Sequence, residues 1–495
     1  MFSVSNKRYI YIAVYFLLAL LCAPTNLLHF DSYYYWDWSR HLALSYYDGP
    51  PMIAYFIKAS TLIFGDTLLA LSIVGIAVCA LTSFLVYKTA KLFLSKEASY
   101  IAMMGWTFSP AIYLDLLKQT TYDAPLTLFW ASTVYFIVRF CACNKTKVTT
   151  LPSSPKSRGD DGRHEQLQTR DLYLAAISIG LMMLSKYSGI VLVFSILLFL
   201  IFSPYRRLFR SIHLYLAMGL SIVFFCPVLF WNYQHNWISF TYQLHEHQFA
   251  QSANSWLNIP RAILLNFIPV LNYMLNLPFF CWMKSVQNKV PAVYLSWITC
   301  LTFLCFYLWV SKDVELHPLW LSQYIITSAL LTGFCFQEFP QFRKLISFVI
   351  NVYWIISIVL MIVEHFNLSS LDYRKNGYYQ LMQHFNAAHS HIPDTIVTSN
   401  WMTARMLFFL KDKPKFYTLP SCGKENQYAL WSKEIAQGIA DKSIHEALYI
   451  DNDNNLQCIQ KYFDKCSLFD KKFLYNRSSH HQSRYGYYAY YCTVS

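Results

Sequence analysis

Charged side chains are scarce. Of 495 residues only 14% are Asp, Glu, Lys or Arg, against 55% apolar and 18% aromatic, too little polarity for a soluble chain of ordinary composition. The scarcity is also uneven. Uncharged runs cover residues 9–30, 67–87, 187–205, 211–245, 262–283, 290–311, 316–337 and 345–363, each at or near the length that crosses about 30 Å of hydrocarbon. Disorder, a disulfide scaffold and a soluble fold are excluded. Cys-x-x-C and metal-finger spacings are missing, as are G-x-G-x-x-G and P-loop strings, so neither a zinc finger nor a nucleotide site has support.

What is present is a membrane topology. The shorter runs 98–114, 124–138 and 172–185 become spans once charged ends snorkel to the interface, which gives about eleven transmembrane helices. With the N-terminus inside, nineteen Lys/Arg fall on the cytoplasmic side, from Lys7/Arg8 to Arg343/Lys344. Only Arg40, Lys58, Lys118, Lys186, Arg261 and Lys312 fall outside before residue 364, a bias that follows the positive-inside rule. The formal charge of +13 is largely this bias, and no nucleic acid partner is expected. The first run is too long for a signal-peptide core and lacks a small-x-small cleavage site, so it reads as a retained span.

Residues 1–363 thus read as a transmembrane domain with a flexible cytoplasmic loop at 142–170, rich in Ser, Pro and charge. Residues 364–495 read as a small α/β domain on the outside. DTIVTSN, PKFYTLP, HEALYI and RYGYYAYYCTV suggest strands, while TARMLFFLK, NQYALWSKEIAQGI and LQCIQKYF suggest helices, in the alternation of a βαβ-type sheet. Cys422, Cys458, Cys466 and Cys492 could form up to two disulfides, with three connectivities open. The exterior loops carry the aromatic and ionisable residues. The first of them, 31–66, alternates amphipathic segments that suit short helices at the membrane surface.

Asp31 directly follows the first span. Among Tyr33, Tyr34, Tyr35 and Trp36 its carboxyl would gain proton affinity and could act as a general base; an interfacial cap would look the same. Asp123 opens the fourth span, where a helix N-terminal acid is the plainer account. Lys186, in the short LSKYSG link, joins Lys118, Arg40 and Arg261 as exterior cations able to hold an anionic lipid head group, and snorkelling is the competing account for Lys186. His317 and the group His235, His245 and His247 are candidate metal ligands whose spacing matches no zinc motif.

The string DSYYYWDWSRHLALSYYDGPPMIAYFI, followed in order by TTYDAPLTLFW, LSKYSGIVLVF, PVLFWNYQHNWISFTYQ, VELHPLW, TSNWMTARMLFFL and ENQYALW, resembles the GT-C superfamily of polyprenyl-phosphate-sugar glycosyltransferases. The resemblance is to the branch holding aminoarabinose transferases and dolichyl-phosphate-mannose-protein mannosyltransferase-like proteins, and it runs from about residue 8 to about 435. Two positions depart from the pattern: Ser32 stands where a second acid is usual, and Gly49 precedes the Pro-Pro pair where His or Lys is common. Asp48 matches an acidic position that looks like a metal or substrate contact in relatives.

The resemblance implies transfer of a sugar from a polyprenyl-phosphate donor to an exported lipid A or lipopolysaccharide, polysaccharide or protein acceptor, with inversion. Asp31 would be the base and Asp123 would orient sugar or acceptor. Lys186, Lys118 and Arg40 would neutralise the departing phosphate, and Tyr34, Tyr35, Tyr46 and Tyr47 would stack on sugar or line the prenyl groove. Such a protein would sit in a bacterial inner membrane, N-terminus in the cytoplasm and tail in the periplasm. No cofactor is required by this reading, and a divalent metal ion is left open. A transporter or flippase of lipid-linked saccharides, or a ligase of such glycans, is the alternative; a flippase would need charged or broken helices at mid-bilayer, and none stands out.

Overall fold

The computed structural model describes residues 8–25, 28–150, 169–245, 290–310 and 322–366 and, beyond them, 393, 395–398, 400–410, 415–417, 426–432, 437–439, 441, 443–451, 459–474 and 485–494. Up to residue 366 the principal elements are helices: α1 (Arg8–Cys22), α2 (Phe30–Arg40), α3 (Met52–Phe64), α4 (Leu68–Ala90), α5 (Lys96–Thr107), α6 (Asp123–Thr150), α7 (Arg170–Met183), α8 (Ile190–Phe202), α9 (Ile212–Gln234), α10 (Ile238–His245), α11 (Pro291–Val310), α12 (Ser322–Glu338) and α13 (Arg343–His365). Local chemistry sets several starts. The Thr67 hydroxyl accepts from the Ala70 N–H at 3.1 Å, and the Ser95 hydroxyl from the Ala98 N–H at 3.3 Å, each satisfying an orphan donor of a first turn.

Among the described residues five helices are long and apolar enough to cross a membrane: Leu68–Ala90, Asp123–Asn144, Ile212–Gln234, Pro291–Val310 and Pro340–His365. A sixth candidate pairs Tyr187–Phe202 with Pro204–Arg210 across a 102° bend. The remaining charge-free runs form shorter helices or lie elsewhere. The run 9–30 ends as a helix at Cys22, 172–185 is helical to Met183, and 262–283 lies outside the described residues. In the run 98–114 the first helix stops at Thr107, because Pro110 cannot continue the hydrogen-bond ladder, and a short helical turn, Pro110–Ile112, restarts after the break. A π-helical turn, Tyr113–Leu117, follows. The loop expected over 142–170 begins as helix, since α6 continues to Thr150 after a kink at Asn144, and residues 151–168 lie outside the described set.

Small residues let the bundle close up. A Cβ on Gly75 of α4 would stand 1.8 Å from the Leu116 carbonyl oxygen of the π turn, so that turn sits where only glycine admits it. At Gly333 of α12 a Cβ would come within 2.8 Å of the Ala98 carbonyl oxygen of α5, the close approach that membrane helices use in place of a hydrophobic drive.

The two helices expected in the first exterior loop are α2 and α3, but α2 does not present its aromatic face to a membrane surface. Tyr33, Trp36 and Trp38 are fully buried. The cause is a helix from the tail, α14 (Asn400–Phe409): Phe408 packs at 5.1 Å from Tyr33 and 5.0 Å from Trp36, with Phe409 at 5.4 Å from Tyr33. Buried rings of this size exclude water over a large area.

The tail holds a five-stranded sheet of order β2-β1-β3-β5-β4, built from β1 (Thr395–Thr398), β2 (Lys415–Tyr417), β3 (Glu446–Asp451), β4 (Lys465–Leu474) and β5 (Tyr485–Thr493). β1 pairs in parallel with β2 and β3, while β5 runs antiparallel to both β3 and β4. The strands read at DTIVTSN, PKFYTLP, HEALYI and RYGYYAYYCTV are present; β4 was not expected. Within NQYALWSKEIAQGI the described helical residues are the short α15 (Gln427–Trp431) and 437–439; of LQCIQKYF, 456–458 lie outside the described residues and 459–463 form mainly a turn rather than a helix. Cys466 and Cys492 face each other in the β4–β5 register and are disulfide-bonded. Cys422 and Cys458 lie outside the described residues.

Candidate active site

The N-terminal ends of α2 and α6 and the C-terminal end of α7 converge on a group of ionisable side chains. α2 opens at His29, whose φ of −61° and ψ of 152° are extended, and Asp31 occupies its first turn, where the helix dipole favours an anion. The Asp31 side chain is 37% exposed, with its Oδ2 3.3 Å from His29 Nδ1. One turn on, Tyr35 lies on the same face, and its ring meets Tyr122 at 5.3 Å. Burial, then the neighbouring Tyr122 and Asp31, push the Tyr35 phenol well above its ordinary value. Burial also raises Tyr122, with Lys186 opposing and Asp123 and Asp31 adding. Both phenols therefore stay neutral donors.

Lys186 reaches this cluster from a residue in extended backbone, φ −161° and ψ 137°, between α7 and the 3-10 turn Tyr187–Gly189. Its Nζ donates to both oxygens of Asp123 at 2.8 and 3.0 Å and lies 4.4 Å from the centre of the Tyr122 ring. Burial works against the ammonium, but Asp123, Tyr122, the hydrogen bond and Asp115 outweigh it, so the Lys186 pKa is raised. Asp123 is held further by Gln323 Nε2 at 3.3 Å from α12, which also donates to Thr127 at 3.4 Å. Its own N–H donates to the Thr121 hydroxyl at 3.3 Å. Asp115, on the π turn, accepts from Gln119 Nε2 at 3.3 Å; π bulges recur at functional sites.

The remaining first-loop residues form a second group. Tyr34 donates its phenolic hydrogen to Asp48 Oδ2. Tyr46 stacks on Trp38 at 4.0 Å and bonds the carbonyls of Trp38 and His41, each at 3.0 Å. The Tyr47 ring meets Tyr242 of α10 at 5.2 Å. Arg40 donates through Nη1 to Asp37 at 3.1 Å and lies 5.0 Å from the Trp36 ring centre. Ser32, at the position where an acid is usual, accepts from the Thr120 N–H at 2.8 Å, tying α2 to the segment that carries Lys118 and Tyr122. Gly49 forms a small antiparallel bridge with Tyr46, and a side chain there would meet open space.

Lys118 is bonded to Glu364 at the end of α13. His235 Nδ1 lies 2.8 Å from the Trp231 carbonyl oxygen, and its ring stacks on that indole at 3.9 Å. His245 closes α10, whereas His247, Arg261 and His317 lie outside the described residues. Among the described residues no group of three or more His, Cys, Asp and Glu side chains converges as a metal ion would require.

Two members of these networks carried no local sequence signal: Glu364 and Gln323 reach their partners only through folding, while Asp37 lies in the DSYYYWDWSR string with nothing there to name its partners. Tyr428 had one, since it lies in the ENQYALW string, but nothing in that string tells which residue its phenol meets.

The family model for dolichyl-phosphate-mannose-protein mannosyltransferase matches residues 48–151 and 163–231. A lipid A galacturonosyltransferase, RgtD, from Rhizobium johnstonii is 26% identical over 210 residues, 42% of this chain and 38% of that protein, so the alignment spans well under half of the relative. The structure of ArnT from Cupriavidus metallidurans bound to undecaprenyl phosphate superposes with a TM-score of 0.66 at 11% identity, covering 98% of both chains. Apo ArnT from the same organism gives 0.64 at 12% identity over 97% of each. At such identities these structures establish a shared fold.

Proposed function

We propose that this chain, which belongs to the GT-C superfamily, is a membrane glycosyltransferase that moves a sugar from a polyprenyl-phosphate donor to a hydroxyl on an envelope acceptor, lipid A or a polysaccharide among them. The observation that carries the reading is a chain of contacts: Asp31 sits one turn before Tyr35 on α2, the Tyr35 ring meets Tyr122 at 5.3 Å, and the Lys186 ammonium lies 4.4 Å from the centre of the Tyr122 ring. A partly exposed carboxylate and a half-buried cation thus stand at the two ends of one aromatic pair. The matched family model and the lipid A galacturonosyltransferase relative support a lipid-linked donor and an envelope acceptor, and the ArnT fold is compatible with both.

In the proposed reaction the acceptor oxygen attacks the anomeric carbon on the face opposite the phosphate. A new C–O bond forms, the bond to the phosphate oxygen breaks with its electron pair, and the hydroxyl proton passes to Asp31. A single in-line displacement inverts the anomeric carbon. The chain supplies positioning and charge: Lys186 stabilises the growing negative charge on phosphate, with Lys118 and Arg40 at the rim, while Asp123 fixes Lys186. Tyr34, Tyr35, Tyr47 and Asp48 shape the sugar pocket, and Tyr46 braces it. The eleven-span topology with a periplasmic tail, in a bacterial inner membrane, belongs to the same proposal.

The test is direct. Purified protein in detergent, given radiolabelled undecaprenyl-phosphate-linked sugars, labels an envelope extract, and Asp31→Asn abolishes labelling without altering the melt. Turnover retained by Asp31→Asn removes it from the base role. Movement of lipid-linked sugar across liposomes without glycoside formation overturns the enzyme reading.

A further inference from the structure

The tail does more than cover α2. The N–H of Gln427 donates to the Tyr34 phenolic oxygen at 3.0 Å, and its Oε1 accepts from the Tyr47 N–H at 2.7 Å. The next residue, Tyr428, donates its hydroxyl to Asp37 Oδ2 at 2.9 Å. Gln427 and Tyr428 are 4% and 2% exposed, and Asp37 is buried to the same degree. Asp37 is also the partner of Arg40, through its other oxygen, Oδ1.

The division of the Asp37 carboxylate has a chemical consequence. Arginine and carboxylate favour a two-point pairing in which both oxygens accept from the guanidinium. Here the pairing is one-point: Tyr428 donates to Oδ2, and Arg40 meets Asp37 through Nη1 at Oδ1. The guanidinium has five N–H donors in a fixed fork, and its side chain is 31% exposed. With the Asp37 charge shared between a phenol and a single guanidinium N–H, the rest of the fork meets no hydrogen-bond acceptor among the described residues and can serve an anion.

We propose that Tyr428 is a positioning residue for an anionic lipid phosphate: by holding Asp37 Oδ2 it keeps the Arg40 fork turned outward, and Gln427 anchors it there through Tyr34 and Tyr47. The proposal rests on the donor class proposed above and deepens it, because it makes the tail part of the phosphate site.

The experiment uses the full chain in detergent and two labelled lipids, undecaprenyl phosphate and its uncharged alcohol, undecaprenol. Tyr428→Phe weakens undecaprenyl phosphate binding about tenfold, the scale of one hydrogen bond to a charged group, and leaves undecaprenol binding within twofold. Adding Asp37→Asn to Tyr428→Phe restores phosphate binding to within threefold of the wild type, since an uncharged amide in place of the carboxylate no longer draws in Arg40. Equal weakening for both lipids, no weakening, or a double variant worse than the single one overturns the proposal, as does a wild type that binds the two lipids alike. Intact phosphate binding without sugar transfer would instead sink the transferase reading and leave this inference standing.

Discussion

Lys186 and Asp123, sixty-three residues apart, share two hydrogen bonds of 2.8 and 3.0 Å, and this contact joins the link after α7 to the first residue of α6. The carboxylate is 7% exposed and the lysine side chain 19%. Breaking one half of such a pair strands a charge in a poor solvent, which is more damaging than removing both halves.

Asp123→Asn or Lys186→Met alone is therefore expected to destabilise the protein by about 3 kcal/mol, and Asp123→Leu with Lys186→Met to recover most of that loss. Thermal melts in detergent check this; additive losses in the double variant would refute the coupling.

The same pair sets a pH dependence. The folded-state Lys186 pKa lies above its ordinary 10.5, so its stabilising contribution is complete below that value and is lost as pH rises through the raised one. Melting midpoints taken from pH 9 to pH 12 should fall more steeply for the wild type than for Lys186→Met above about pH 10.5. Parallel curves would count against it.

Gly75→Ala places a methyl group where the Leu116 carbonyl oxygen stands. The neighbour is backbone and cannot rotate away, so the variant is expected to lose about 3 kcal/mol or more and to yield little folded protein by size-exclusion chromatography. Gly219→Ala, whose added carbon meets nothing within 4 Å, is the matched control and should behave as the wild type.

The Cys466–Cys492 bond closes 26 residues between neighbouring strands. Replacing both cysteines by serine should lower the stability of the tail by about 3 kcal/mol. Limited proteolysis with and without reductant reads this, and equal cleavage of the two proteins under oxidising conditions would show that the bond contributes nothing.

The long helices were legible because a charge-free run is itself the physical requirement for crossing a bilayer. Residues 67–87 became Leu68–Ala90, and 345–363 lies within Pro340–His365. Helix ends were less legible: the run 98–114 hid the break at Pro110. Strands of the tail could be read where apolar residues were dense, as at β3, but β4 carries Lys465, Asp470, Lys471 and Lys472 and gave no apolar pattern. Within the site, residue types were readable and partners were not. Arg40 could be seen as a cation, yet its pairing with Asp37, and that of Asp37 with Tyr428 across 391 residues, is a product of tertiary packing.

The sheet order β2-β1-β3-β5-β4 places the strand that is synthesised after the other four in an interior position. A chain cut before residue 485 would lose the partner of both β3 and β4 and leave bare two ladders that β5 otherwise satisfies. A stop codon just before residue 485 should accordingly act as a null allele, even though the five long apolar helices described above have already been translated.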